Sequence, residues 1–189
     1  MELILASTSK YRRELLERLG VPFRCEAPDV DESVHQTGKP AEIAENLAML
    51  KAKAVSRKFP GAVVIGSDQV PAIGEKILNK PGDRDHALVQ LHRLSGKSHS
   101  LFTAVALLTP TESLQHLDET RLYMRQLPDE YLERYLDRDE PYDCAGSYKI
   151  ECAGISLFQK IESADFTAIQ GLPLIAVTEM LLKVGFVIP

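Results

Sequence analysis

"AVVIGSDQV", residues 62–70, decides the fold. The run 62–66 is apolar throughout and rich in β-branched residues, which suits a central strand buried on both faces. It breaks off in Ser67, Asp68 and Gln69. The strand is therefore expected to stop there. That would put the Asp68 carboxylate at a strand's carboxyl end, where open α/β sheets form their ligand crevice. Ser67 and Asp68 are equally the residues of an ordinary turn.

Upstream, "LILAS" (3–7) reads as a short buried strand and 10–19 as a helix, with Tyr11, Leu15 and Leu19 at i, i+4, i+8 and Gly20 as terminator. Residues 21–28 resemble a second strand running into the acidic stretch "DVDES" (29–33). Residues 41–58 form the clearest amphipathic helix, with Ile43, Leu47, Leu50 and Ala54 on one face. Downstream, helices are expected over 83–94 and 128–138 and after Gly171, and strands over 99–108, 119–126 and 154–161. Single strands alternate with helices and with hairpin-like runs. The fold class is α/β: a mixed twisted sheet with flanking helices.

The 189 residues, 44% hydrophobic, suit one domain over 1–189, or two lobes sharing one core. A net charge of −5 argues against general affinity for nucleic acid or membrane, so any anion site is local. No apolar run approaches the roughly 20 residues that span a bilayer. Without a signal-peptide pattern, and with three cysteines but no CxxC pair, the expectation is a cytoplasmic protein with reduced, buried structural thiols at Cys25, Cys144 and Cys152. None of the five histidines has the spacing of a zinc finger.

Lys10, Arg12 and Arg13 fall where a helix begins, the end at which the macrodipole is itself positive. A strand, a loop and a helix N-terminus offer free N–H groups to an anion. Ser7, Thr8 and Ser9 add hydroxyls, and the two arginines add forks that match phosphate oxygens. The alternative stays open: Arg13 pairs with Glu17 at i+4, Arg12 snorkels and Ser9 only caps. Asp31 and Glu32, with Asp29, are hard oxygen ligands acceptable to Mg²⁺ or Mn²⁺, or else a solvated turn. Lys51, Lys53 and Lys80 are surface lysines by default, although Pro81 biases Lys80 toward an extended conformation. "GKS" at 96–98 lacks the earlier glycine of a P-loop.

Six ordered blocks, "LASTSKYRRELL", "DVDE", "LAMLKAKAV", "GSDQV", "NKP" and "GLPL", together resemble the Maf family of nucleoside triphosphate pyrophosphatases. The resemblance implies an inosine triphosphatase-like fold with two lobes around a central cleft. It also implies cleavage between the α and β phosphates with a divalent cation, and a homodimer. By position, Ser9, Arg12 and Arg13 match the triphosphate loop, Asp68 the catalytic acid, and Lys51 and Lys80 the family's lysines. Asp31 or Glu32 matches the metal-assisting acid. Lys10 stands where the family usually has proline. Gln69, in place of threonine, resembles the branch that prefers 7-methyl-GTP, with Tyr11 as the loop aromatic and Glu151 at a specificity position. A methylated, positively charged purine would gain ~0.5 to 2 kcal/mol from stacking on Tyr11. Glu151 and Gln69 could meet the base's polar edge. The rival readings are a pyrophosphatase for dTTP or UTP, a nucleotide-binding regulator of cell division, and a phosphomonoesterase. The chain lacks the DxDx[TV] signature of the haloacid-type phosphatases.

Overall fold

The computed structural model describes residues 1–32 and 37–189. Among these, seven strands make one mixed sheet in the order β2-β1-β3-β5-β6-β7, with β4 on β3. The strands are β1 (Leu3–Ala6), β2 (Arg24–Cys25), β3 (Val63–Ile73), β4 (Lys76–Ile77), β5 (Ser98–Leu108), β6 (Ser113–Met124) and β7 (Phe158–Glu162). The helices are α1 (Lys10–Glu17), α2 (Pro40–Lys58), α3 (Arg84–Leu94), α4 (Asp129–Asp139) and α5 (Leu174–Lys183). β1 lies parallel to β2 and β3, while β4 runs antiparallel to β3 and β7 antiparallel to β6. The mixed α/β expectation therefore holds.

Two compact units divide the chain. Residues 1–69, 103–118 and 165–189 form the first, and residues 70–102 and 119–164 the second. In the first, Leu3 and Leu5 of β1, Val63 and Ile65 of β3, Leu15 and Leu16 of α1, and Val177 and Leu181 of α5 make one apolar core. In that unit β3 contains the largest departure from the sequence reading. It does not stop at Gly66 but continues through Ser67, Asp68 and Gln69 to Ile73. Turn-forming residues are held extended here by pairing with neighbouring strands, which overrides their local preference. Asp68 consequently lies inside a strand rather than at its end.

Two further corrections concern burial. The α2 face turned inward carries Ile43, Ala44, Leu47, Ala48, Lys51, Ala52 and Val55, so it includes Lys51 and leaves Leu50 and Ala54 half-buried. The thiols are not buried: Cys25 and Cys152 are exposed and Cys144 is half-buried. β2 is two residues long and both face solvent.

In the second unit, Asp83 caps α3, its Oδ1 accepting the His86 N–H at 2.9 Å. His99 is 3% exposed beside Tyr148 and Phe158, with ring centroids 5.5 and 5.8 Å away. Its Nε2 lies 2.8 Å from the Tyr148 hydroxyl, and among the described residues its Nδ1 has no hydrogen-bond partner. Burial pushes the imidazole down to about 4. The unfolded ring takes its proton near 6.5, so this contribution to stability is complete above that pH and is lost as pH falls toward 4. At most about 3 kcal/mol is at stake. His99→Phe is expected to cost about 1 kcal/mol at pH 7, through the stranded Tyr148 hydroxyl. It should also flatten the decline between pH 6.5 and 4.5 in urea titrations. Parallel declines for parent and variant would exclude His99 as the source.

Candidate active site

Three elements of the first unit converge on Asp68. β3 holds Asp68 at 6% exposure, and α2 brings the Lys51 ammonium to 2.6 Å from Oδ1. Glu32 completes the arrangement, its Oε1 2.8 Å from the same ammonium. The approach of α2 depends on Gly66: a Cβ there would lie 2.3 Å from the Ala48 carbonyl oxygen and 2.6 Å from the Ala52 nitrogen. Glycine lets helix and strand backbones meet, which puts Lys51 within reach of Asp68.

The charges fit a carboxylate under tension. Burial pushes Asp68 above the usual carboxylate range and the Glu32 charge adds to this, while Lys51 and Arg12 pull it back. Burial likewise lowers Arg12, and the negative charges of Asp68 and Glu32 oppose that shift.

The opening helix separates its cations. Ser9 caps α1 by accepting the Arg12 N–H at 3.4 Å, and its own N–H donates to Ser7 Oγ at 3.1 Å. Arg12 turns inward, where Nε donates to the Gly171 carbonyl at 2.8 Å. Arg13 turns outward to Glu17 at 3.1 Å, and Lys10 pairs with Glu14 at 3.6 Å. Successive helical residues point about 100° apart, so two neighbouring arginines cannot share one direction. Arg13 lines a separate groove of about 550 Å³ with Phe23, Arg24 and Cys25. Tyr11 is 39% exposed, and Asp31 is exposed.

Gln69 has a structural engagement that the sequence did not reveal. Its Nε2 donates to Thr103 Oγ1 and to the Ala168 carbonyl, both at 2.9 Å, and lies 3.2 Å from the Ile169 carbonyl. Ser67 Oγ stands 2.8 Å from the carbonyls of both Ala104 and Gly171. The segment entering α5 is further fixed by Asp165, which accepts the Thr167 and Ile175 N–H groups at 2.8 and 2.7 Å. Ser67, Thr103, Asp165 and Gly171 were missed as a set because most of their contacts run through backbone groups, which leave no signal in the sequence. "GLPL" marked the place but not the role. Lys80 and Glu151 lie in the second unit, both exposed. Lys53 is exposed as well, two positions from Lys51 and so on another face of α2.

Among the described residues, no group of three His, Cys, Asp or Glu side chains is arranged to hold a metal. No helix among the described residues is long and apolar enough to cross a membrane.

A family model described as Maf-like protein matches residues 2–184. A 7-methyl-GTP pyrophosphatase of Xanthomonas oryzae pv. oryzae (strain MAFF 311018) is 48% identical over 187 residues, 99% of this chain and 98% of its own. Proteins of the same name from Pseudomonas savastanoi pv. phaseolicola and Pseudomonas fluorescens (strain Pf0-1) are 43% and 44% identical, over 99% and 100% of this chain and 98% and 100% of theirs. Among solved structures, the Staphylococcus aureus Ham1 protein aligns with a TM-score of 0.49 and 15% identity, over 67% of this chain and 73% of that one.

Proposed function

This chain belongs to the Maf family, and from that premise we propose that it is a nucleoside triphosphate pyrophosphatase converting 7-methyl-GTP to 7-methyl-GMP and pyrophosphate. The observation that carries the reading is the buried Asp68 carboxylate held 2.6 Å from Lys51. Near full-length relatives that bear the 7-methyl-GTP pyrophosphatase name support it.

A water aimed at the α-phosphorus gives its proton to Asp68, its oxygen bonds to phosphorus, and the bond to the bridging oxygen breaks. In the metal-free chain burial raises Asp68 above the usual carboxylate range, the direction that suits a proton acceptor. Arg12, fixed through Nε, offers its terminal nitrogens to phosphate oxygens, and the N-terminus of α1 with Ser9 adds donors. By family resemblance alone, Arg13 and Lys80 are assigned to the departing pyrophosphate and Tyr11, Gln69 and Glu151 to the base.

Glu32 and Asp68 fit a divalent cation, Mg²⁺ or Mn²⁺, because both present a hard oxygen to one shared positive charge. Two carboxylates suit an ion that completes its shell with water and substrate phosphates. When bound, such an ion neutralises charge on the transferred phosphoryl group. We place the reaction in the cytoplasm, in keeping with three free thiols, with residues 1–189 acting as one domain in a homodimer.

The test is kcat/KM for 7-methyl-GTP, GTP, dTTP and UTP with product identification. The expected result is pyrophosphate release, with 7-methyl-GTP favoured about tenfold, within what a cation–π contact supplies. A preference for dTTP or UTP would overturn the substrate assignment, and orthophosphate as the product would overturn the reaction.

A further inference from the structure

The Lys51 ammonium occupies the one point toward which both candidate metal-binding carboxylates turn. It is 2.6 Å from Asp68 Oδ1 and 2.8 Å from Glu32 Oε1, on a side chain 8% exposed. We propose that Lys51 is an internal place-holder for the divalent cation, which can bind Glu32 and Asp68 together only after the ammonium has left them. The inference rests on the pyrophosphatase reading above and adds an order of events to it.

Three observations carry the exchange. Two carboxylates of which one is buried would repel each other without a cation between them, so the substrate-free protein needs the positive charge. A divalent ion bound to the same oxygens would stand against the ammonium as a like charge at close range. Finally, the partners differ in freedom. The Asp68 side chain is 9% exposed and fixed in β3, whereas the Glu32 side chain is 48% exposed and can turn aside. Lys51 has a flexible four-carbon stem, so the ammonium can withdraw from Asp68 while the strand stays in place. An ammonium displaced in this way is available to the phosphates that arrive with the metal. Lys51 would thus serve the carboxylates before substrate binds and the triphosphate afterwards. This accounts for a lysine on the buried face of α2, where helices seldom carry one.

The experiment is a Mn²⁺ titration of the nucleotide-free full chain, with free Mn²⁺ read by electron paramagnetic resonance. Parent, Lys51→Met, Lys51→Gln and the double variant Lys51→Met/Glu32→Gln are compared. Lys51→Met is expected to bind Mn²⁺ about tenfold or more tightly than the parent, since it removes a like charge that the ion must displace. Lys51→Gln, which keeps a donor for one carboxylate, should show a smaller gain, and Glu32→Gln should cancel the gain of Lys51→Met. Melting temperature should rise with Mn²⁺ more steeply in Lys51→Met than in the parent. Equal or weaker Mn²⁺ binding by both single variants would overturn the proposal. The pyrophosphatase reading is decided separately, by pyrophosphate release from the parent. A parent that releases pyrophosphate beside variants that gain no affinity removes the place-holder alone.

Discussion

Asp68→Asn lowers kcat by about 10²-fold or more, the usual contribution of a general base, and leaves the fold intact. Asparagine is isosteric and keeps an oxygen to accept the Lys51 ammonium, so the 2.6 Å contact can persist while the proton acceptor is lost. The measurement is pyrophosphate release under saturating 7-methyl-GTP, with circular dichroism as the control for folding. The direction of the Asp68 shift adds a second readout. Burial and Glu32 raise this carboxylate in the metal-free chain, and with Asp68 as proton acceptor the parent's kcat/KM profile should show an acid limb that Asp68→Asn lacks. The limb falls on acidification because the protonated acid cannot accept the water's proton. A variant that keeps full turnover would remove Asp68 from the chemistry.

Gly66→Ala is the substitution expected to damage the framework most. The new methyl group would meet the Ala48 carbonyl oxygen at 2.3 Å, the Ala52 nitrogen at 2.6 Å and the Ala52 Cβ at 2.9 Å. Two of these three atoms are helix backbone and cannot swing away, so α2 must move off β3. Overpacking of this kind costs about 1 to 3 kcal/mol, and backbone contacts favour the upper end. For a chain of this size that is a fall in Tm of about 6 to 12 °C. Activity should drop too, by about tenfold or more, because Lys51 lies on the same stretch of α2 and a small displacement spoils its alignment with Asp68. Gly61→Ala is the matched control: nothing lies within 4 Å of its Cβ position, and it should shift stability by no more than about 0.5 kcal/mol. Equal effects at the two glycines would mean that the close approach at Gly66 is not what holds α2 in place.

Much of this molecule is legible in the chain. Among the described residues, apolar period and punctuation place the five helices and the longer strands, because burial on one face leaves a local record, whereas β2 is two exposed residues within the longer strand expected over 21–28. The missed strand, β4, has two residues and too little length to show a period. At the site, the sequence supplies Asp68, Lys51, Arg12 and the choice between Asp31 and Glu32. It does not say which of them meet. Glu32, Lys51 and Asp68 lie far apart along the chain, and nothing in their spacing announces a shared ion pair.

The sequence by itself determined the inventory: an α/β chain of mixed strands, a capped opening helix, and acids and cations of types suited to phosphate chemistry. Tertiary structure alone decided how each was used. Pairing with neighbouring strands held "SDQ" extended, so Asp68 became a buried residue of β3 rather than a turn residue at its end. Helical geometry sent Arg12 inward to Gly171 and Arg13 outward to Glu17. The absence of a side chain at Gly66 brought α2 close enough for Lys51 to reach Asp68. The physical reason is common to all three. Propensity and periodicity act over a few residues, whereas a buried charge finds its partner wherever folding brings the opposite charge out of water.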